Sequence, residues 1–326
     1  MRRARIVATG SAVPPRVMRN ADLERLVVTS DEWIAERTGI RERRVVAEGV
    51  ASSDLGTEAA REALAAGGWD AADLDLILVA TCTPDMPLPS TACLIQRNLN
   101  ARRASAFDLA AACSGFLFGL SVADLYVRSG TYRRVLLIGT EVMSAILDWT
   151  DRNTCVLFGD GAGAALIELS PDDRGILSTH LHSDGDLWDL VCVPGGGSRS
   201  PASKQMLDDR QQFMKMKGHE TFKVAVKTLE ATAREALAAN QMDVKDVDVF
   251  IPHQANVRIL NAVVERLGLE KERMVTNLDR FGNTSAASIP LALDQAVRAG
   301  RIKPGHRILM AAFGSGLTWA SAVVRW

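Results

Sequence analysis

Apolar residues recur along the chain in two rhythms. An Ala-rich stretch with helical spacing, REALAAGGWD, leads into the short apolar run ending at Ala80, and the same order returns from REALAANQMD into VDVFIP. A second helical pattern, through Leu117, Leu120 and Leu125, ends in R-x-G at Gly130 and feeds RRVLLIG (133–139), as the segment ending at Gly300 feeds HRILMAA (306–312). Strands that are apolar throughout are buried on both faces. Helices alternating with such strands predict an α/β layered fold.

The order is duplicated. At an offset of 173, REALAAGGWDAADLDLILVA (61–80) lies over REALAANQMDVKDVDVFIPH (234–253) with 9 of 20 positions identical and no gap. At an offset of 170, ADLYVRSG (123–130) falls on LDQAVRAG (293–300), and RIVATG (5–10) falls more weakly on GILSTH (175–180). The chain therefore divides into two copies of one unit, residues 1–172 and 173–326. Two copies related by a pseudo-two-fold bring equivalent loops to one interface, where ligand sites gather. Residues 182–217, rich in Gly, Asp and Ser with few periodic apolar positions, read as a long surface excursion. The uncharged run Ile308–Val324 is broken by Gly, Ser and Thr and reads as buried strands around a turn rather than a membrane span.

Composition narrows the function classes. At 326 residues and 47% hydrophobic, the chain can bury two cores. Its 38 basic and 39 acidic residues leave a net charge of −1, which gives no field for a nucleic-acid backbone. Five cysteines, an odd number without C-x-x-C spacing, read as reduced thiols of a cytoplasmic protein. Arg2 and Arg3 precede only a brief apolar run that meets Pro14-Pro15, so no secretory signal is expected.

Three positions carry candidate chemistry. Cys113 in AAACSGF stands at the start of a helical pattern, where unpaired N–H groups and the helix dipole favour a nucleophilic thiolate. Adding 170 to Cys113 reaches Asn283 in RFGNTSAAS, again just before a helix. His253 in IPHQAN ends the repeated strand where the first copy has Ala80, so a polar ring replaces a methyl at an interface-facing position. The other cysteines (82, 93, 155, 192) and histidines (180, 182, 219, 306) read as structural. GDGAG (159–163) lies between TCVLF and AALIEL and reads as a tight hairpin, not a phosphate loop. FGSG (313–316) could offer the Gly316 N–H to an oxyanion, and HLHSDGDLWD (180–189) reads as a solvated loop rather than a metal site. In TSDEWIAERTGIRERR, Ser30 caps a helix that sets Trp33 and Arg37 on one face, a pair suited to a flat ring beside a phosphate.

With ERTGIRERR, AAACSGF, DWTDRNTCVLFGDGAGA, FKVAV, IPHQAN, FGNTSAASIP, GRIKPG and FGSGLTWASAVVRW in order and spacing, the chain resembles beta-ketoacyl-acyl-carrier-protein synthase III over essentially its whole length. The resemblance implies a five-layered thiolase fold, a homodimer, and decarboxylative condensation of a short acyl-CoA with malonyl-acyl carrier protein, the initiating step of type II fatty-acid synthesis. It implies no metal and no cofactor beyond the coenzyme A thioester, which is substrate. Cys113, His253 and Asn283 match the family's catalytic triad, and the N–H groups of Cys113 and Gly316 its oxyanion hole. Coenzyme A contacts map to Thr29, Trp33, Arg37, Arg152 and Asn256, and carrier-protein docking to Lys223, Arg258 and Arg266, with Glu265 departing from the basic pattern. Leu88 would reach a partner subunit's acyl pocket. The nearest rival is a same-fold condensing enzyme of secondary metabolism. A more distant one is a catalytically idle subunit that only binds coenzyme A or a partner.

Overall fold

The apolar runs become the strands of two sheets in a computed structural model that describes residues 2–326. In the first half, β1 (Ala4–Ala12), β2 (Leu76–Ala80), β3 (Ser105–Leu109), β4 (Val135–Glu141) and β5 (Gly161–Leu169) form a sheet in the order β1-β5-β4-β2-β3. In the second half, β6 (Gly175–Ser183), β7 (Val249–Pro252), β8 (Arg307–Gly314) and β9 (Thr318–Arg325) repeat that order as β6-β9-β8-β7. The pattern of directions also repeats: two antiparallel pairings lead into a parallel one, β4 with β2 and β8 with β7. Where β3 would recur, the second sheet has only an isolated parallel bridge, Phe250 to Met274.

Helices complete five layers. They are α1 (Asp31–Thr38), α2 (Ser52–Gly67), α3 (Thr91–Leu99), α4 (Gly115–Ser129), α5 (Arg152–Cys155), α6 (Gly218–Ala239), α7 (Val257–Leu267) and α8 (Ser288–Arg298). α2 and α3 cover the outer face of the first sheet, α6 and α7 that of the second, and α4 and α8 fill the space between. The period-2 geometry of a strand divides its side chains between two cores. Val135 and Leu137 of β4 join the central core while Leu136 and Ile138 join the outer one, and Ile308, Met310 and Ala312 of β8 part from Leu309, Ala311 and Phe313 in the same way.

Each half inserts an excursion at the same point of the unit, before its first long helix. The first, residues 13–51, contains α1; as expected, Ser30 Oγ caps it by accepting the Trp33 N–H at 3.1 Å. The second is the surface excursion expected, and it carries structure of its own. It is held by a two-stranded ribbon (Val191–Cys192 with Lys215–Met216) and a helical turn (Lys204–Asp208). The Arg210 guanidinium also grips the buried Asp148 carboxylate through two hydrogen bonds of 2.8 and 2.5 Å. His180 and His182 lie on β6 beside Glu235 rather than in a loop. Among the described residues no cluster could hold a metal and no helix is long and apolar enough to cross a membrane.

GDGAG is not a hairpin. Thr154 and Cys155 end α5, and Phe158 makes an isolated parallel bridge to Asn283, so the segment read as a strand instead ties itself to the second half. The buried Asp160 carboxylate holds the glycine run by accepting from the N–H groups of Val46 and Ser144 and from the Ser144 hydroxyl.

The register of the duplication also changes at the helices. The short turns Ala112–Ser114 and Ser285–Ala287 precede α4 and α8, with left-handed residues at Ala112 (φ 44°) and Ser285 (φ 48°). Their offset is 285 − 112 = 173. Because α8 is 11 residues against 15 for α4, the 170 offset that aligns the glycines after them, Gly130 and Gly300, fails at the helix starts, which are 288 − 115 = 173 apart, and the image of Cys113 is Ala286, not Asn283.

The halves interlock through glycines. A Cβ on Gly139 would lie 2.3 Å from the Ala286 carbonyl oxygen, and one on Gly314 would lie 2.7 Å from the Cys113 nitrogen. Each strand thus presses backbone to backbone on the turn of the other half. Gly139→Ala should therefore force the Ser285–Ala287 turn outward and cost about 1–3 kcal/mol, as overpacking does. A thermal unfolding midpoint equal to that of the parent would refute this contact.

Candidate active site

One cavity of about 350 Å³ opens where the interlocked turns meet, and Cys113, His253 and Asn283 all line it. The turn before α4 supplies Cys113, the end of β7 supplies His253, and the turn before α8 supplies Asn283. Asn283 is fixed by its backbone, which donates to Leu157 O (2.9 Å) and accepts from Gly159 N–H (3.1 Å), and its side-chain Oδ1 accepts from Ser285 N–H (2.9 Å). With Oδ1 engaged, Nδ2 has no acceptor among the described residues and is left for the cavity. His253 donates its backbone N–H to Ala311 O (2.8 Å), and its Nδ1 lies 2.6 Å from Ser288 Oγ.

The remaining lining is apolar or uncharged: Met143, Leu157, Phe158, Val191, Met214 and Phe313 wall it, with Ser285 and Ser315 among its few hydroxyls. No Lys, Arg, Asp or Glu lines it. Val191, Met214 and Met216 come from the second excursion, so the segment that lacked periodicity builds a wall of the site. Cys82 and Cys192 also line it, which corrects the reading of both as core residues.

The same dryness reverses the expected thiolate. Burial pushes the Cys113 thiol up to about 12, opposed by a hydrogen bond from Ser285 and reinforced by the nearby Glu141. Cys113 also sits in a tight turn before α4 rather than in the helix itself. Burial likewise pulls the His253 imidazole down to about 3, leaving it neutral. Glu141, missed by sequence reasoning, is wholly buried under the Cys82 end of β2. It accepts from Thr83 Oγ1 (2.7 Å), Cys82 N–H (3.1 Å) and Ala286 N–H (3.3 Å), joining β2, β4 and the Ser285 turn, and burial raises its carboxyl. Its place at the end of the apolar run RRVLLIGTE was the only available signal.

Gly316 does not reach the cavity. Gly314 and Ser315 line it instead, because Gly314 lies flush against Cys113 and the chain turns away after Ser315. Neither the Cys113 nor the Ser315 N–H donates to another described residue.

Of the remaining expected contacts only Asn256 is part of the cavity lining; the others stand outside it. Two guanidinium groups stand over the Trp33 ring, with Arg37 Cζ 4.9 Å and Arg152 Cζ 4.7 Å from its centre. Arg152 also donates to Val28 O (3.0 Å), and the Thr29 hydroxyl is buried without a partner. Asn256 lines the cavity and caps α7, accepting from Arg258 N–H (2.8 Å) and donating to Arg37 O (3.1 Å). Lys223 and Arg258 are exposed on α6 and α7, and Arg258 lies over the cavity-lining Phe222 at 5.9 Å. Arg266 is 3.3 Å from Glu230, which tempers its charge, and Glu265 is exposed beside it. Leu88 is 80% exposed and does not line the cavity of its own chain.

A duplicated five-layered frame that delivers Cys, His and Asn to one dry cavity defines an acyltransferase of the thiolase fold. Models of 3-oxoacyl-(acyl-carrier-protein) synthase III and of its C-terminal part match residues 107–185 and 237–326, and the beta-ketoacyl-(acyl-carrier-protein) synthase III of Alkalilimnicola ehrlichii is 54% identical over 99% of each chain. The chain belongs to this family. Among solved structures, 3-oxoacyl-(acyl-carrier-protein) synthase III from Aquifex aeolicus is 45% identical, covers 99% of this chain and 100% of its own, and superposes with a TM-score of 0.92. The priming beta-ketosynthase of the R1128 polyketide pathway, the kind of enzyme named above as the nearest rival, superposes equally well (0.92) over 99% and 96% of the two chains, but at 36% identity.

The raised thiol sets a pH dependence. A folded value near 12 means that the Cys113 thiolate fraction, and with it the rate of iodoacetamide alkylation followed by peptide mass spectrometry, should climb about tenfold per pH unit from 7 to 10 without levelling. A plateau with a midpoint below pH 8 would show that the turn and helix overcome burial.

Proposed function

We propose that the protein condenses a short acyl-CoA with malonyl-acyl carrier protein, releasing CO₂ and giving a 3-oxoacyl-acyl carrier protein. The observation that carries the reading is the meeting of Cys113, His253 and Asn283 in one uncharged cavity. In the first stage the Cys113 sulfur adds to the thioester carbonyl, and the free N–H groups of Cys113 and Ser315 hold the oxyanion. The C–S bond to coenzyme A then breaks, and the departing thiol carries the proton that Cys113 gives up. This exchange is neutral overall, so a thiol that starts protonated suits it.

In the second stage His253 Nε2 and Asn283 Nδ2 donate hydrogen bonds to the malonyl thioester carbonyl. The C–C bond to the carboxylate breaks, CO₂ leaves, and the electron pair becomes an enolate held by the two donors. Its carbon attacks acyl-Cys113 and expels the cysteine sulfur as thiolate, which takes up one proton from solvent. No cation lines the cavity to stabilise the malonyl carboxylate, which favours its departure.

At the mouth, the adenine stacks on Trp33 in place of one of its guanidinium neighbours, while Arg37 and Arg152 face phosphates and the unpartnered Thr29 hydroxyl meets the ring edge. Asn256 lies along the pantetheine. Lys223 and Arg258 meet the acidic carrier, with the partly neutralised Arg266 behind them. The chain acts in the cytoplasm as a homodimer: exposed Met86 and Leu88 and the free edge of β3, with Phe107 partly exposed, form the surface a second copy covers.

Two stages can be separated. Asn283→Ala should still take an acyl group from acyl-CoA by intact mass, yet release CO₂ from malonyl carrier protein ~10² to 10³ times more slowly, the usual worth of one oxyanion donor. CO₂ release at the parent rate with no acylation would overturn the assignment. Arg258→Glu should raise KM for malonyl carrier protein more than for acyl-CoA, and added salt should narrow the difference. Equal losses for both substrates would place Arg258 in a shared structural role.

A further inference from the structure

A neutral imidazole carries a single N–H, and whether the cavity meets a donor or an acceptor depends on which nitrogen holds it. The surroundings of His253 decide this. Its Nδ1 lies 2.6 Å from Ser288 Oγ. The same oxygen is approached at 3.4 Å by the Gln254 backbone N–H, which can only donate. Ser288 is buried at the first residue of α8, and among the described residues its hydroxyl hydrogen has no acceptor other than Nδ1. A buried hydroxyl keeps its hydrogen bonded, so the O–H points at Nδ1 and the ring proton must sit on Nε2.

Gln254 is itself held in place. Its Nε2 donates to Pro252 O (2.8 Å) and Val275 O (3.2 Å), and its Oε1 accepts from Asn277 N–H (3.2 Å). The backbone N–H that orients Ser288 is thus part of a buried network rather than a mobile loop.

We propose that Ser288 is a positioning residue which holds His253 in the Nε2–H tautomer through the chain Gln254 N–H to Ser288 O–H to His253 Nδ1. The catalytic consequence rests on the function proposed above: with the opposite tautomer the ring would turn a lone pair toward the thioester carbonyl and could not hold the enolate. The tautomer itself does not depend on that reading.

The test uses full-length protein labelled with ¹⁵N-histidine, with His253→Ala to assign the resonances. The parent should show a protonated Nε2 and an unprotonated Nδ1. Ser288→Ala should mix the tautomers and slow CO₂ release from malonyl carrier protein about 10- to 10²-fold with KM for the carrier unchanged, a smaller loss than the ~10⁴ of a histidine locked in the wrong tautomer. Ser288→Thr, which keeps the hydroxyl, should restore both readouts. A parent ring protonated at Nδ1, or ring shifts that Ser288→Ala leaves in place, would overturn the proposal, and the parent spectrum decides the tautomer even if the alanine variant does not fold. Undiminished CO₂ release by His253→Ala would instead sink the proposed role of His253 and leave the tautomer standing.

Discussion

Everything at the centre of this molecule depends on two places where backbone touches backbone. Gly139 admits the Ala286 carbonyl and Gly314 admits the Cys113 amide, each closer than any side chain would allow. Because the contacts are reciprocal, neither half can shift without carrying the other's turn. That rigidity lets Ala112 and Ser285 hold left-handed conformations which for such residues cost of order 1–3 kcal/mol and persist only where the surroundings over-determine them. Cys113, Asn283 and His253 inherit their separation from this contact rather than from bonds to one another.

Desolvation then sets the chemistry. The enclosing side chains leave Cys113 protonated and His253 uncharged, so the site is electrically silent although it is lined by ionisable groups. On the function proposed, charge arises only as reaction proceeds. The unpartnered N–H groups of the turns and the free amide of Asn283 would then meet it in a low-dielectric surrounding, where each counts for more than it would in water.

Much of this was legible in sequence because periodicity and repetition report packing. Strands apolar on both faces announced the layers, and Ala80 against His253 marked where a polar group enters the interface. What escaped was the geometry of close approach. The 170 offset led from Cys113 to Asn283, a residue that does line the cavity, although the folded register pairs Cys113 with Ala286, since α8 lacks a turn that α4 has. The FGSG turn hid which of its members line the cavity, because chain direction after Ser315 is a tertiary matter. Glu141 and Ser288 were invisible for a similar reason: their partners lie on other elements, and nothing in their own segments distinguishes a buried network from a capped end.

The two excursions carry a further consequence. They leave the duplicated frame at equivalent points, yet one carries the Trp33 and Arg37 pair and the other carries Val191, Met214 and Met216 of the cavity wall, so equivalent insertion points present unlike chemistry. On the function proposed, substitutions in the clasped segment beyond Asp184 would reshape the wall around an acyl chain while leaving the Trp33 and Arg37 pair untouched, so the choice of acyl group and the hold on coenzyme A would be separately adjustable.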